Sequence, residues 1–96
     1  MSRREAILER HRTTIRKIAA RNNATAIALA GSVARGTDTP NSDCDFVCNF
    51  STDATLLDFA GLQLELVELL GCHVDIVDAQ ALKAPFESML DDAVPL

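Results

Sequence analysis

The sequence predicts an α/β domain, a small sheet of three or more strands flanked by helices, and three observations carry that prediction. Apolar residues recur at helical spacing over residues 3–21 and again in a leucine-rich run ending near residue 70. Three short stretches, 26–30, 43–50 and 72–77, have strand length and strand composition and are bounded by turn formers. The two kinds of segment alternate along one chain of 96 residues, a length that suits a single domain over 1–96.

Taken in order, Ile7, Leu8, His11, Ile15, Ile18 and Ala19 form one stripe with charges elsewhere, so the first element is an amphipathic helix. Ser2 is its expected N-cap, with Glu5 three residues on as in a capping box, and Asn22 and Asn23 end it. The apolar run 26–30 fits a short buried strand, although periodicity alone leaves helix open there. Residues 43–50 read as a second strand with Phe46, Cys48 and Phe50 on one face. Ser51, Thr52 and Asp53 are N-cap candidates for the next helix. Its leucines are frequent enough that most of its circumference is expected to be covered, and Gly71 is its expected stop. A third strand follows over 72–77, with Asp78 expected to cap the turn after it, and a last short helix is expected over 86–93.

Composition narrows the function. Apolar residues make up 48% of the chain, with four Phe and neither Trp nor Tyr, so the core must be mainly aliphatic and the composition argues against disorder. The formal net charge is −5, and of nine basic residues only Arg35 and Lys83 lie beyond residue 21. Non-specific nucleic-acid binding needs cations against phosphates, so direct nucleic-acid binding is disfavoured. The basic first helix still suits an acidic partner. Cys44, Cys48 and Cys72 lack C-x-x-C spacing and read as small buried thiols rather than a disulfide framework or zinc site. The charged N-terminus and the lack of a long apolar run predict a cytoplasmic protein without a membrane span.

Chemistry concentrates between Gly31 and Asp75. Side chains two apart on a strand share a face roughly 7 Å apart, so Asp43 and Asp45 can converge while Cys44 and Phe46 point the other way. Asp75 sits amid Val74, Ile76 and Val77, and joins them if the second and third strands are neighbours. Carboxylates so grouped suit a hard cation such as Mg²⁺, and two ions about 4 Å apart activate an attacking oxygen and stabilise a leaving one. Upstream, Gly31 follows a strand directly and allows close backbone approach. Ser32 beside it offers a hydroxyl and backbone N–H groups to an anion. Arg35 has two equal readings, a phosphate contact or a salt bridge. Gly36, Pro40 and Asn41 read as turn formers.

The stretches G-S-x-A-R-G at 31–36, S-D-x-D at 42–45, LQLELVELLG-x-x-VDIV at 62–77 and the terminal AVPL together resemble the minimal nucleotidyltransferase (MNT) domain family. That family lies within the nucleotidyltransferase superfamily that includes DNA polymerase beta. The resemblance implies a small mixed sheet and transfer of a nucleoside monophosphate from a nucleoside triphosphate to a hydroxyl, releasing pyrophosphate. It implies catalytic and metal-binding roles for Asp43, Asp45 and Asp75 with two Mg²⁺ ions, and nucleotide binding by Gly31, Ser32, Arg35 and Ser42. Cys44 departs from the family, which usually has an aliphatic residue there. The resemblance further implies an antitoxin that adenylylates a tyrosine of a HEPN-domain ribonuclease toxin with ATP as substrate. The absence of tyrosine from this chain agrees with an acceptor supplied from elsewhere. Two alternatives stand beside it: an antitoxin acting by binding alone, and a small-molecule nucleotidyltransferase of the antibiotic-modifying type.

Remaining polar residues carry less. His11, on the apolar stripe, reads as a core or boundary residue. His73 shares a strand face with Asp75 and is expected to be a bystander. Asp91 and Asp92 are expected to be solvated or to meet a partner, for which the basic first helix and the leucine-rich helix are the candidate surfaces.

Overall fold

The computed structural model describes residues 2–81 and 90–96. The N-terminal amphipathic helix runs as three joined segments, α1 (Arg3–Glu5), a π-helical turn over Ala6–His11 and α2 (Arg12–Arg21). Ser2 caps it: its Oγ accepts from Glu5 N at 3.1 Å and reaches Glu5 Oε1 at 3.2 Å. Asn22 is the C-cap and Asn23 turns the chain at φ 61°. Three strands then appear near their expected places, β1 (Ala24–Ala30), β2 (Cys44–Phe50) and β3 (Val74–Asp78). Between them lie the short α3 (Gly31–Arg35) and the long α4 (Leu56–Leu70).

The sheet has the order β3-β2-β1-β4, where β4 is the two-residue Val94–Pro95. β2 and β3 run parallel, and the other neighbours are antiparallel, so the sheet is mixed. β4 pairs with Ala28 and Leu29, an edge position where proline's missing N–H costs no ladder bond. Nothing local to Val94 announced a strand. Phe86–Met89, half of the expected last helix, lie outside the described residues; Ala93 N donates to Leu90 O at 3.4 Å, closing a turn.

One sheet face carries the core. Leu29, Phe46, Cys48 and Val74 are fully buried against Ile7, Ile15 and Ile18 of the first helix and Leu62 and Leu66 of α4. Full burial of one such side chain is worth about 1.5–3 kcal/mol.

The start of α4 corrects the expectation. Ser51 is used in a tighter turn, where its carbonyl accepts from Ala54 N at 3.1 Å. Thr55 is the N-cap, because only Thr55 has a carboxylate three residues later: Asp58 N reaches Thr55 Oγ1 at 3.4 Å and Thr55 N donates to Asp58 Oδ2 at 3.0 Å. Gly71 stops the helix at φ 68°, its N–H on Val67 O at 2.8 Å. The expected coverage of α4 is a second correction. α2 and the sheet cover one side of the helix, while Leu56, Leu57 and Leu64 stand 88%, 83% and 65% exposed.

Candidate active site

The opposite face of the sheet holds the acidic residues. β2 and β3 are adjacent and parallel with Asp45 directly opposite Asp75 in the ladder, so both carboxylates leave the same face. Asp43 and His73 each sit one residue before their strand, joined through Cys44 N, which donates to His73 O at 3.0 Å. Ligand atoms of Asp43, His73 and Asp75 all lie within 4.8 Å of one another. His73 Nδ1 is 3.4 Å from Asp43 Oδ1 and 3.7 Å from Asp75 Oδ1.

Asp45 takes a different position. β1 places Ala30 opposite Asp45, and the chain then turns through Gly31 at φ 68° into α3. That turn brings Gly31 against the carboxylate. A Cβ built on Gly31 would overlap Asp45 Oδ2 and stand 3.1 Å from its Cγ and 3.2 Å from its Cβ. Glycine is thus required twice, for its backbone angle and for the room it leaves.

Electrostatics tie the group together. Burial pushes the Asp45 carboxyl above its usual range, and the charges of Asp75 and Asp43 push it further, against a smaller lowering by Arg35 and His73. A carboxylate pushed up by burial and by neighbouring charges is held in place at a cost that a bound cation removes. The carboxylates present suit a hard divalent ion such as Mg²⁺, the metal that the resemblance implies, whereas the His73 imidazole is not a ligand that Mg²⁺ favours.

The four residues with an implied nucleotide role occupy distinct places. Gly31 and Ser32 open α3 beside Asp45, with Ser32 half-buried. Of the two readings of Arg35, the structure shows the ion pair: its Nη1 lies 3.6 Å from Asp92 Oδ2. Ser42 closes the preceding loop, its Oγ accepting from Thr39 N at 2.9 Å. Two arginines read earlier only as basic helix residues brace this region. Arg3 donates to Ser42 O and, at 2.8 Å, to Pro40 O, while Arg4 Nε donates to Ala34 O at 2.9 Å. No local signal marks Arg3 or Arg4 for this work, because their acceptors are backbone carbonyls 30 or more residues away. Asp78 caps the turn after β3 as expected, accepting from Gln80 N at 3.0 Å.

This arrangement is that of a known family. The nucleotidyltransferase domain family matches residues 11–94. The protein adenylyltransferase MntA of Thermococcus cleftensis is 35% identical over 80 residues, which span 83% of this chain and 78% of that protein. A solved structure described as a minimal nucleotidyltransferase superposes with a TM-score of 0.85 at 38% identity, covering 100% of this chain and 97% of the other. The complex of the tri-AMPylated Shewanella oneidensis HEPN toxin with MNT antitoxin shares the fold, with a TM-score of 0.63 at 19% identity over 86% of this chain and 66% of that one. The chain belongs to the nucleotidyltransferase domain family, among its minimal members, and is a nucleotidyltransferase.

Among the described residues, no helix is long and apolar enough to cross a membrane.

Proposed function

We propose that this protein is an antitoxin that transfers AMP from ATP to a tyrosine hydroxyl of a HEPN-domain toxin. The observation that carries the reading is the cluster of Asp43, His73 and Asp75 at one end of β2 and β3, with Asp45 opposite Asp75 in the ladder and Gly31 packed against Asp45. The likeness to an MntA adenylyltransferase supports the transferred group, and the AMPylated HEPN toxin in the related complex supports the acceptor.

In this reading Asp43, Asp45 and Asp75 would hold two Mg²⁺ ions, with the His73 imidazole beside Asp43 and Asp75. When bound, the metal supplies charge to the triphosphate and acidity to the incoming hydroxyl. Gly31 and Ser32 admit the β- and γ-phosphates to the backbone at the start of α3. Asp75 accepts the proton of the tyrosine hydroxyl as its oxygen attacks the α-phosphorus and pyrophosphate leaves. Arg35 exchanges Asp92 for the triphosphate, a move that its half-exposed ion pair permits at little cost. The protein's part is positioning and charge neutralisation. The whole of 1–96 acts as one domain, and Leu56, Leu57 and Leu64 on α4 offer an apolar surface for the toxin.

The test is incubation with Mg²⁺, isotopically labelled ATP and a cognate HEPN protein, followed by peptide mass spectrometry. An adenylyl mass on a toxin tyrosine, absent with Asp43→Asn/Asp45→Asn, supports the reading; an unmodified toxin contradicts it. The exposed α4 leucines favour one competing reading, neutralisation by binding. That reading gains if the double variant still protects cells from the toxin.

A further inference from the structure

Beneath the acidic face, on the core side of the same two strand starts, two thiols meet. Cys44 Sγ lies 3.0 Å from Cys72 Sγ, although 28 positions separate them. Cys44 is buried and lies in sequence between Asp43 and Asp45, whereas Cys72 is partly exposed and sits next to His73. Cys48, the third thiol, is buried farther along β2. Beside the pair is a cavity of about 80 Å³, lined by both cysteines with Arg3, Ile7 and His11. A water needs only about 10–15 Å³, so this space admits a small hydroperoxide.

We propose that Cys44 and Cys72 form a reversible disulfide that detunes the metal site above it. The switch rests on the functional reading given above, and the covalent step does not. Hydrogen peroxide entering the cavity is attacked by Cys72 Sγ. Its O–O bond breaks, Cys72 becomes a sulfenic acid and one water leaves. Cys44 Sγ then attacks the Cys72 sulfur and displaces the hydroxyl as a second water. Two thiols and one peroxide thus give one disulfide and two waters, and a dithiol reverses the step by exchange.

The consequence is geometric. Closing the sulfurs from 3.0 Å to a bond of about 2.05 Å draws Cys44 and Cys72 together. Asp43 and Asp45 flank the first, and His73 follows the second, so any backbone movement that closes the bond is passed directly to the ligands on the upper face. Ligand distances in well-formed metal sites lie within about 0.2 Å of their ordinary values, so a small displacement of these residues bears on the site. Oxidation should therefore weaken Mg²⁺–ATP uptake roughly tenfold, the scale seen when groups supporting a metal site are disturbed.

The experiment treats the full chain with stoichiometric hydrogen peroxide, alkylates the remaining thiols under denaturing conditions and maps them by mass spectrometry. In parallel, Mg²⁺–ATP affinity is measured by calorimetry on reduced, oxidised and re-reduced protein and on Cys72→Ser. The expected result is a Cys44–Cys72 linked peptide with Cys48 still alkylated, roughly tenfold weaker uptake that dithiothreitol restores, and no peroxide response in Cys72→Ser. Alkylation of both Cys44 and Cys72 after peroxide, a link through Cys48, or a Cys44–Cys72 link without a change in affinity overturns the proposal. Reduced protein that takes up no Mg²⁺–ATP defeats the functional reading and the switch together, while the linked peptide is judged on the mass spectrum alone.

Discussion

Replacing Gly31 with alanine should damage the protein in two separable ways. The first is backbone: φ is 68°, and an L-residue in the left-handed region costs about 1–2 kcal/mol. The second is contact, because the new methyl would overlap Asp45 Oδ2 and crowd Cγ and Cβ at 3.1 and 3.2 Å. The carboxylate must turn off its rotamer, which adds about 0.5–1.5 kcal/mol. The total is about 1.5–3.5 kcal/mol, centred on about 2.5 kcal/mol. For a chain of this length that lowers the melting temperature by roughly 10–20 °C. Thermal unfolding followed by circular dichroism in EDTA measures the loss. A cycle with Asp45→Ala separates the two causes: in that background Gly31→Ala should cost only the backbone share, leaving a coupling near 1 kcal/mol. Equal costs in both backgrounds would refute the claim that Gly31 makes room for the Asp45 carboxylate.

Further outcomes follow from the carboxylate group. Asp75→Asn relieves repulsion on Asp45, so it should melt higher than wild type in EDTA yet lose the added stability that Mg²⁺–ATP confers; a lower melting point in EDTA would make Asp75 structural. Asp45 has a folded pKa raised above its ordinary 3.8, so the stability it contributes is fully present below that value and is lost as pH rises through the raised one. Subtracting the pH–stability curve of Asp45→Asn from that of metal-free wild type should reveal that decline, and a flat difference contradicts it. Arg3→Met should loosen the loop before β2 by removing its bonds to Pro40 O and Ser42 O, read as faster amide exchange at Ser42 with α4 unchanged.

Much of this site was legible because its logic is local. The i, i+2 spacing of Asp43 and Asp45 dictated a shared face, and Gly31 after an apolar strand dictated a tight turn. Asp75 was readable as a carboxylate out of place among Val and Ile. Its alignment with Asp45 needed the parallel pairing of β2 with β3, which no spacing in the chain encodes. The same long-range pairing explains what was missed. His73 came into the ligand group because it precedes β3 as Asp43 precedes β2. Cys44 and Cys72 met for the same reason on the other face. The late start of α4 was readable in principle, since T-L-L-D is the one stretch there with a capping carboxylate at the right offset. The pairing of Val94 with Leu29 was not, because two residues carry too little pattern to declare a strand.

The central claim is that three aspartates at the head of two parallel strands, with glycine against one of them, form a cation-dependent nucleotide site. Isothermal titration of ATP into the reduced protein, with Mg²⁺ and then with EDTA, tests it most directly. Saturable uptake that requires Mg²⁺ and disappears in Asp43→Asn/Asp45→Asn is the predicted result. Uptake of equal strength in EDTA, or undiminished in the double variant, would contradict it.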